Sequence, residues 1–187
     1  EYSPVVNTEN PVTYSITDYE KELVDPTCAG YTFIGWEYDG EDIDGNVITL
    51  LENDVLPTGN NDSGVVITGK WKPTEYTVEY KVNGKGAEWI GGYNPPKPTY
   101  KITTGLTLLD NNRISRAYYD FAGWKISGEG CNENGTVIPF IENTPMEIEK
   151  GTYGDITLNA IWTPYMYTMT FSVGENNSLG VDSIEVT

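Results

Sequence analysis

Across 187 residues the chain sets 28 acidic side chains against 11 basic ones, with no histidine and a net charge of −17. That field repels phosphate backbones and anionic lipid alike, which argues against nucleic acid and membrane surfaces as partners. Without histidine, Ser–His and Cys–His nucleophile pairs and His-based zinc sites are excluded too.

Aromatics at 12% of residues, together with 20 Gly and 11 Pro, predict a predominantly β chain with little or no helix. Asp18–Leu23 alone has a helical look and reads as loop or a single turn. Tyr31–Tyr38 is a strand whose alternation breaks, because strict period 2 sends Tyr31 and Phe33 to one face and Trp36 to the other. Gly35, just before the tryptophan, predicts a bulge or a close backbone approach that re-aims the indole. A glycine turn leads into a strand at Val47–Leu51. Val65, Ile67, Gly69 and Trp71 then alternate with more polar neighbours, and Pro73 ends the strand. The small residue two places before the tryptophan leaves room for a ring.

Tyr76, Val78, Tyr80 and Val82 alternate with Thr77, Glu79, Lys81 and Asn83 before a turn at Asn83–Gly86. The loop AEWIGGYNPP follows, carrying Trp89 and Tyr93. The remaining predicted strands are Tyr119–Ile126, Thr136–Ile141, the alternating Ile156, Leu158, Ala160, Trp162 with Pro164 as its stop, and a last one through Tyr167, Met169, Phe171 and Val173.

These elements occur twice. Tyr31, Phe33, Gly35 and Trp36 return as Tyr119, Phe121, Gly123 and Trp124 at an offset of 88 residues. Upstream, Tyr14, Ile16 and Thr17 return as Tyr100, Ile102 and Thr103 at 86. Downstream, Trp71 and Pro73 return as Trp162 and Pro164 at 91, and Tyr76, Val78 and Tyr80 as Tyr167, Met169 and Phe171. The offset drifts between matched blocks, so insertions fall in the joins, as packed elements linked by surface loops require. Two phasings follow. Either the strand at 76–82 opens a unit, giving a headless first repeat at 1–75, a second at 76–166 and the start of a third at 167–187, or it closes one.

The order of these blocks, with CAGYTFIGW at Cys28–Trp36 as its strongest part, resembles the Listeria–Bacteroides repeat found in the B repeats of internalin-type surface proteins. The resemblance covers about residues 10–173, and the second copy departs from it where RAYYDFAGW places Ala117 and Tyr118 against Gly30. It implies tandem, small β-grasp-like modules on a secreted or wall-attached Gram-positive protein, acting as stalk or adhesive segment. It implies no catalytic residue and no cofactor. The residues carried over are interior ones: Tyr31, Phe33, Trp36, Trp71, Tyr119, Phe121, Trp124 and Trp162.

Partners on this reading are neighbouring repeats and a host-surface protein or glycan. Contact with such a ligand is expected at Trp89 and Tyr93, since Trp89 alone among five tryptophans has no repeat counterpart. The competing reading has Trp89 sealing the space between units. Asp42, Asp44 and Gly45 are spaced like part of an EF-hand loop, but Gly40 and Leu51 occupy its first and last ligand positions, so an acidic turn is expected rather than a metal site. The two cysteines sit at non-equivalent positions and do not make a disulfide scaffold. No apolar run approaches the ~20 residues of a spanning helix. The chain opens at Glu1 without an initiator methionine or signal-peptide pattern, and reads as a piece of a longer protein.

Overall fold

The computed structural model describes residues 10, 23–41, 47–48, 66–171 and 184–186. Among these the chain is predominantly β, without an α-helix. In the first copy, β1 (Tyr31–Glu41), β2 (Val47–Ile48) and β3 (Val66–Pro73) form an antiparallel sheet of order β2-β1-β3. The second copy contributes β4 (Glu75–Lys81), β5 (Ala87–Trp89), β6 (Thr99–Lys101), β7 (Leu106–Thr107), β8 (Ile114–Arg116), β9 (Tyr119–Ser127), β10 (Val137–Pro139), β11 (Glu147–Ile148) and β12 (Ile156–Pro164). Its main sheet has the order β10-β9-β12-β4-β6, and β5-β8 and β11-β7 make two small ribbons. A last ribbon joins β13 (Met169–Phe171) to β14 (Ile184–Val186).

One pairing sets the topology. β4 and β12 run parallel at the centre of the sheet, with Val78 opposite Ile156 and Lys81 opposite Asn159. The other pairings in that sheet are antiparallel. Alternation explains what faces inward. Tyr76, Val78, Tyr80 and Val82 pack on the interior while Thr77, Glu79 and Lys81 are exposed. From β12, Ile156, Leu158 and Ala160 complete that layer, and Trp124 lies over it with 0% of its surface exposed. Burying a ring that size withdraws 150–250 Å² of mostly apolar surface from water.

The broken alternation resolves as a bulge at matching places. On β1, Phe33 faces Trp71 and Gly35 faces Lys70, so Ile34 is the extra residue. On β9, Phe121 faces Trp162 and Gly123 faces Ile161, so Ala122 is the extra one. Gly35 and Gly123 adopt φ of 132° and 134°, outside what side-chain-bearing residues favour. The extra residue brings two rings of odd spacing to one side. Phe33 and Trp36 meet edge to face with centroids 5.1 Å apart, as do Phe121 and Trp124.

Two predicted strands come out differently. The segment expected at Thr136–Ile141 is paired only over β10, because the chain then leaves the sheet and Ile141 bridges to Thr144. Met169 is exposed although its counterpart Val78 is buried, since β13 pairs with β14 and, among the described residues, has no partner equivalent to β12. The expected turn at Asp18–Leu23 falls, except for Leu23, outside the described residues.

Candidate partner-contact site

The repeat-matched aromatics build the same small cluster twice. Phe33 contacts Trp36 and Trp71 edge to face, both at 5.1 Å, while Phe121 contacts Trp124 at 5.1 Å and Trp162 at 5.9 Å. Trp36, Phe121 and Trp124 are buried, whereas Tyr31, Phe33, Trp71, Tyr119 and Trp162 are half-buried. Indole donors are satisfied by backbone in the second copy: Trp124 Nε1 donates to the Leu109 carbonyl at 2.9 Å and Trp162 Nε1 to that of Asn83 at 2.7 Å. Gly69 sits where the first copy's rings converge, its absent side chain facing Trp71 Nε1 and Phe33.

Trp89 and Tyr93 are brought together. β5 pairs with β8, placing Trp89 opposite Ile114, and a tight turn through Gly91 and Gly92 at positive φ folds Tyr93 back. The Tyr93 amide donates to the Ile90 carbonyl at 3.2 Å. The two rings lie 5.7 Å apart, and Trp89 meets Tyr80 edge to face at 6.5 Å. Both are half-buried, so each is a packing residue with one side accessible.

Arginine completes the arrangement, and sequence reasoning missed it. Arg113 stacks over the Tyr93 ring at 5.1 Å and Arg116 over Tyr119 at 3.6 Å. Arg116 also lies close against Gly84, where an added Cβ would lie 3.0 Å from the guanidinium. Among the described residues, the ion pairs are formed by lysines: Lys70 with Glu37, Lys81 with Glu79 and Lys101 with Glu75. Neither arginine belongs to one. The available signal was composition, since Arg113 and Arg116 are the chain's only arginines and stand three residues apart in an acidic sequence. Planar cations held on aromatic faces, with no carboxylate on them, are suited to receive an acidic group.

Other titratable groups read as structural. Asp155 Oδ1 accepts from both the amide and the hydroxyl of Thr77, at 2.8 and 2.9 Å, which holds its carboxyl below the usual range. Tyr100 donates to the Gly154 carbonyl at 2.6 Å, and burial pushes its phenol well up. Burial likewise raises Tyr80 and the Cys131 thiol. Cys28 and Cys131 are both free thiols. Lys70 and Lys81 lie on the outward phase of their strands. Asp42 and Asp44 lie outside the described residues, and among the described ones no cluster of acidic or cysteine side chains has the arrangement of a metal site.

Residues 76–161 match the family model of the Listeria-Bacteroides repeat domain. The matched segment opens on the second residue of β4 and closes within β12, so it spans the five-stranded sheet and covers a little under half of the chain. No match was found among curated proteins or solved structures.

Proposed function

We propose, from the Listeria-Bacteroides repeat domain formed by residues 76–161, that this chain is a tandem-repeat segment of a bacterial surface protein, secreted or wall-attached, serving as a non-enzymatic stalk. The order β6-β4-β12-β9 with its parallel central pair supports the β-grasp-like class, in a version whose β6-to-β9 connection carries a 3-10 turn at Asn111–Arg113 in place of a helix. It also supports the phasing in which β4 opens the second repeat. On that reading the first copy's sheet corresponds to β10-β9-β12, and β13 repeats β4.

The parallel β4–β12 pair is the observation that carries the stalk reading. Chain enters the unit at the start of β4 and leaves at the end of β12, at opposite ends of two adjacent strands. Tension between neighbours therefore loads this ladder in shear, so its hydrogen bonds must fail together rather than one by one. Pulling the 187-residue chain by its ends in a force spectrometer should show one abrupt rupture releasing about 300 Å of chain. Gradual low-force lengthening would count against the stalk.

A second reading, a carbohydrate- or protein-contacting module, is favoured by Arg113 stacked on Tyr93 beside Trp89. Arg113→Ala and Tyr93→Ala should abolish retention on an array of acidic glycans while leaving unfolding nearly unchanged. Equal retention by both variants, or none by the parent chain, would remove this reading.

A further inference from the structure

We infer that Gly30 and Ile102 form the joint by which one repeat docks on the next, a socket and the side chain seated in it, and that Tyr118 closes the same socket on the second repeat. This goes beyond the stalk reading and stands on geometry independent of it.

The socket is made by backbone. Gly30 lies in the turn closed by the Cys28–Tyr31 bridge, at φ +80°. With no side chain, it admits Ile102 so closely that an added Cβ would overlap Ile102 Cδ1. The seated residue is presented firmly. Just after β6, the Lys101 carbonyl accepts the amides of Thr104 and Gly105 at 3.0 and 3.2 Å, and the Gly151 amide donates to the Ile102 carbonyl at 2.8 Å. Ile102 is only 3% exposed, yet it stands outside the hydrophobic cluster that fills its own copy. Part of its cover therefore comes from the first copy, at Gly30.

Repeat equivalence shows how the second copy differs at this place. Ile102 is matched in sequence by Ile16 of the first copy, so the isoleucine recurs in both copies. The socket position is matched too: Gly30 corresponds to Tyr118, which holds φ +68°. The surrounding backbone is the same, since Thr74 donates to the Gly30 carbonyl at 3.0 Å and Tyr165, its counterpart, to that of Tyr118 at 2.9 Å. Only the side chain differs. The Cβ of Tyr118 stands where a following isoleucine would enter, and its ring projects into solvent with 71% exposure. Identical joints therefore stop after the second repeat.

The test is orientational. In the 187-residue chain, amides of β1 and β3 and those of β4, β9 and β12 should share one alignment tensor in residual dipolar couplings. Gly30→Tyr, which copies the second socket, should split them into two tensors with both sheets still folded. A single tensor in that folded variant, or two tensors in the parent, overturns the joint. Should Gly30→Tyr unfold the first sheet, Ile102→Ala takes its place. Two tensors then support the joint, while one tensor, or loss of the second sheet, overturns it.

Discussion

Tyr165 donates its amide to the carbonyl of Tyr118 at 2.9 Å, locking an aromatic residue into a left-handed conformation that the first copy gives to glycine. An L-residue pays about 1–2 kcal/mol for that region, and the exposed Tyr118 ring recovers little by packing. Glycine would relieve the strain at an entropic cost of about 0.5–1 kcal/mol. Tyr118→Gly should therefore stabilise the second repeat by about 0.5–1 kcal/mol in urea titration. A loss of stability would show that the ring is held by contacts its exposure conceals.

The opposite replacement at the bulge should be severe. Gly123 has φ 134°, and an added Cβ would run into the carbonyl of Ile138 and lie 2.9 Å from Pro139 Cα. Both obstacles are backbone of the neighbouring strand β10, so neither can rotate away. Gly123→Ala should cost about 3 kcal/mol or more, or separate β10 from β9, seen as lost amide protection there. Gly69→Ala makes the contrast, because its Cβ would meet only rings, at 3.2 Å and beyond. The second copy already holds Ala160 at that place. A change within about 1 kcal/mol is expected, measured by the same titration.

Why the bulge was legible and the joint was not is a matter of range. A glycine next to a misphased tryptophan is a local conflict between period and packing, and sequence displays it at Gly35 and Gly123. The alternation of β4 and β12 is likewise local. Their parallel pairing is not, because nothing within Tyr76–Val82 says that its partner lies some 80 residues on. The seat of Ile102 against Gly30 joins two repeats through the shapes of two turns. Both residues appear in the repeat alignment, but only coordinates bring them together. At the candidate contact site, the lack of a repeat counterpart singles out Trp89, and Tyr93 lies in the same loop. Arg113 reaches Tyr93 through the β5–β8 ribbon, a pairing that sequence alone left unassigned.

Trp124 should be the most sensitive ring. It is fully enclosed, and its indole satisfies the Leu109 carbonyl at 2.9 Å. Trp124→Phe removes volume and leaves that carbonyl unpaired, two losses that together come to about 2–4 kcal/mol. Trp89→Phe, at a half-buried site on the edge of the core where Tyr80 and Tyr93 meet the ring, should cost about 1 kcal/mol. Equal losses at the two positions would mean that burial is not what distinguishes them.

The two ends of the pH–stability profile should trace to two named residues. Asp155 has a folded pKa below its ordinary value because its charged form accepts two bonds from Thr77. Its contribution is therefore complete above the unfolded pKa of about 3.9 and lost as pH falls through the lower folded value. Asp155→Asn keeps an acceptor without the charge, so it should flatten the stability profile below about pH 4. Tyr100 works in the other direction, its folded pKa raised chiefly by burial. Its stabilisation is complete below the unfolded value of about 10 and fades as pH rises beyond it. Tyr100→Phe gives up the bond to the Gly154 carbonyl, about 1 kcal/mol at neutral pH, but should delay alkaline unfolding relative to that new baseline. An alkaline limb that keeps its midpoint and slope in Tyr100→Phe would move the alkaline sensitivity to Tyr80, among the described residues the other phenol raised by burial, at the same interior face of β4.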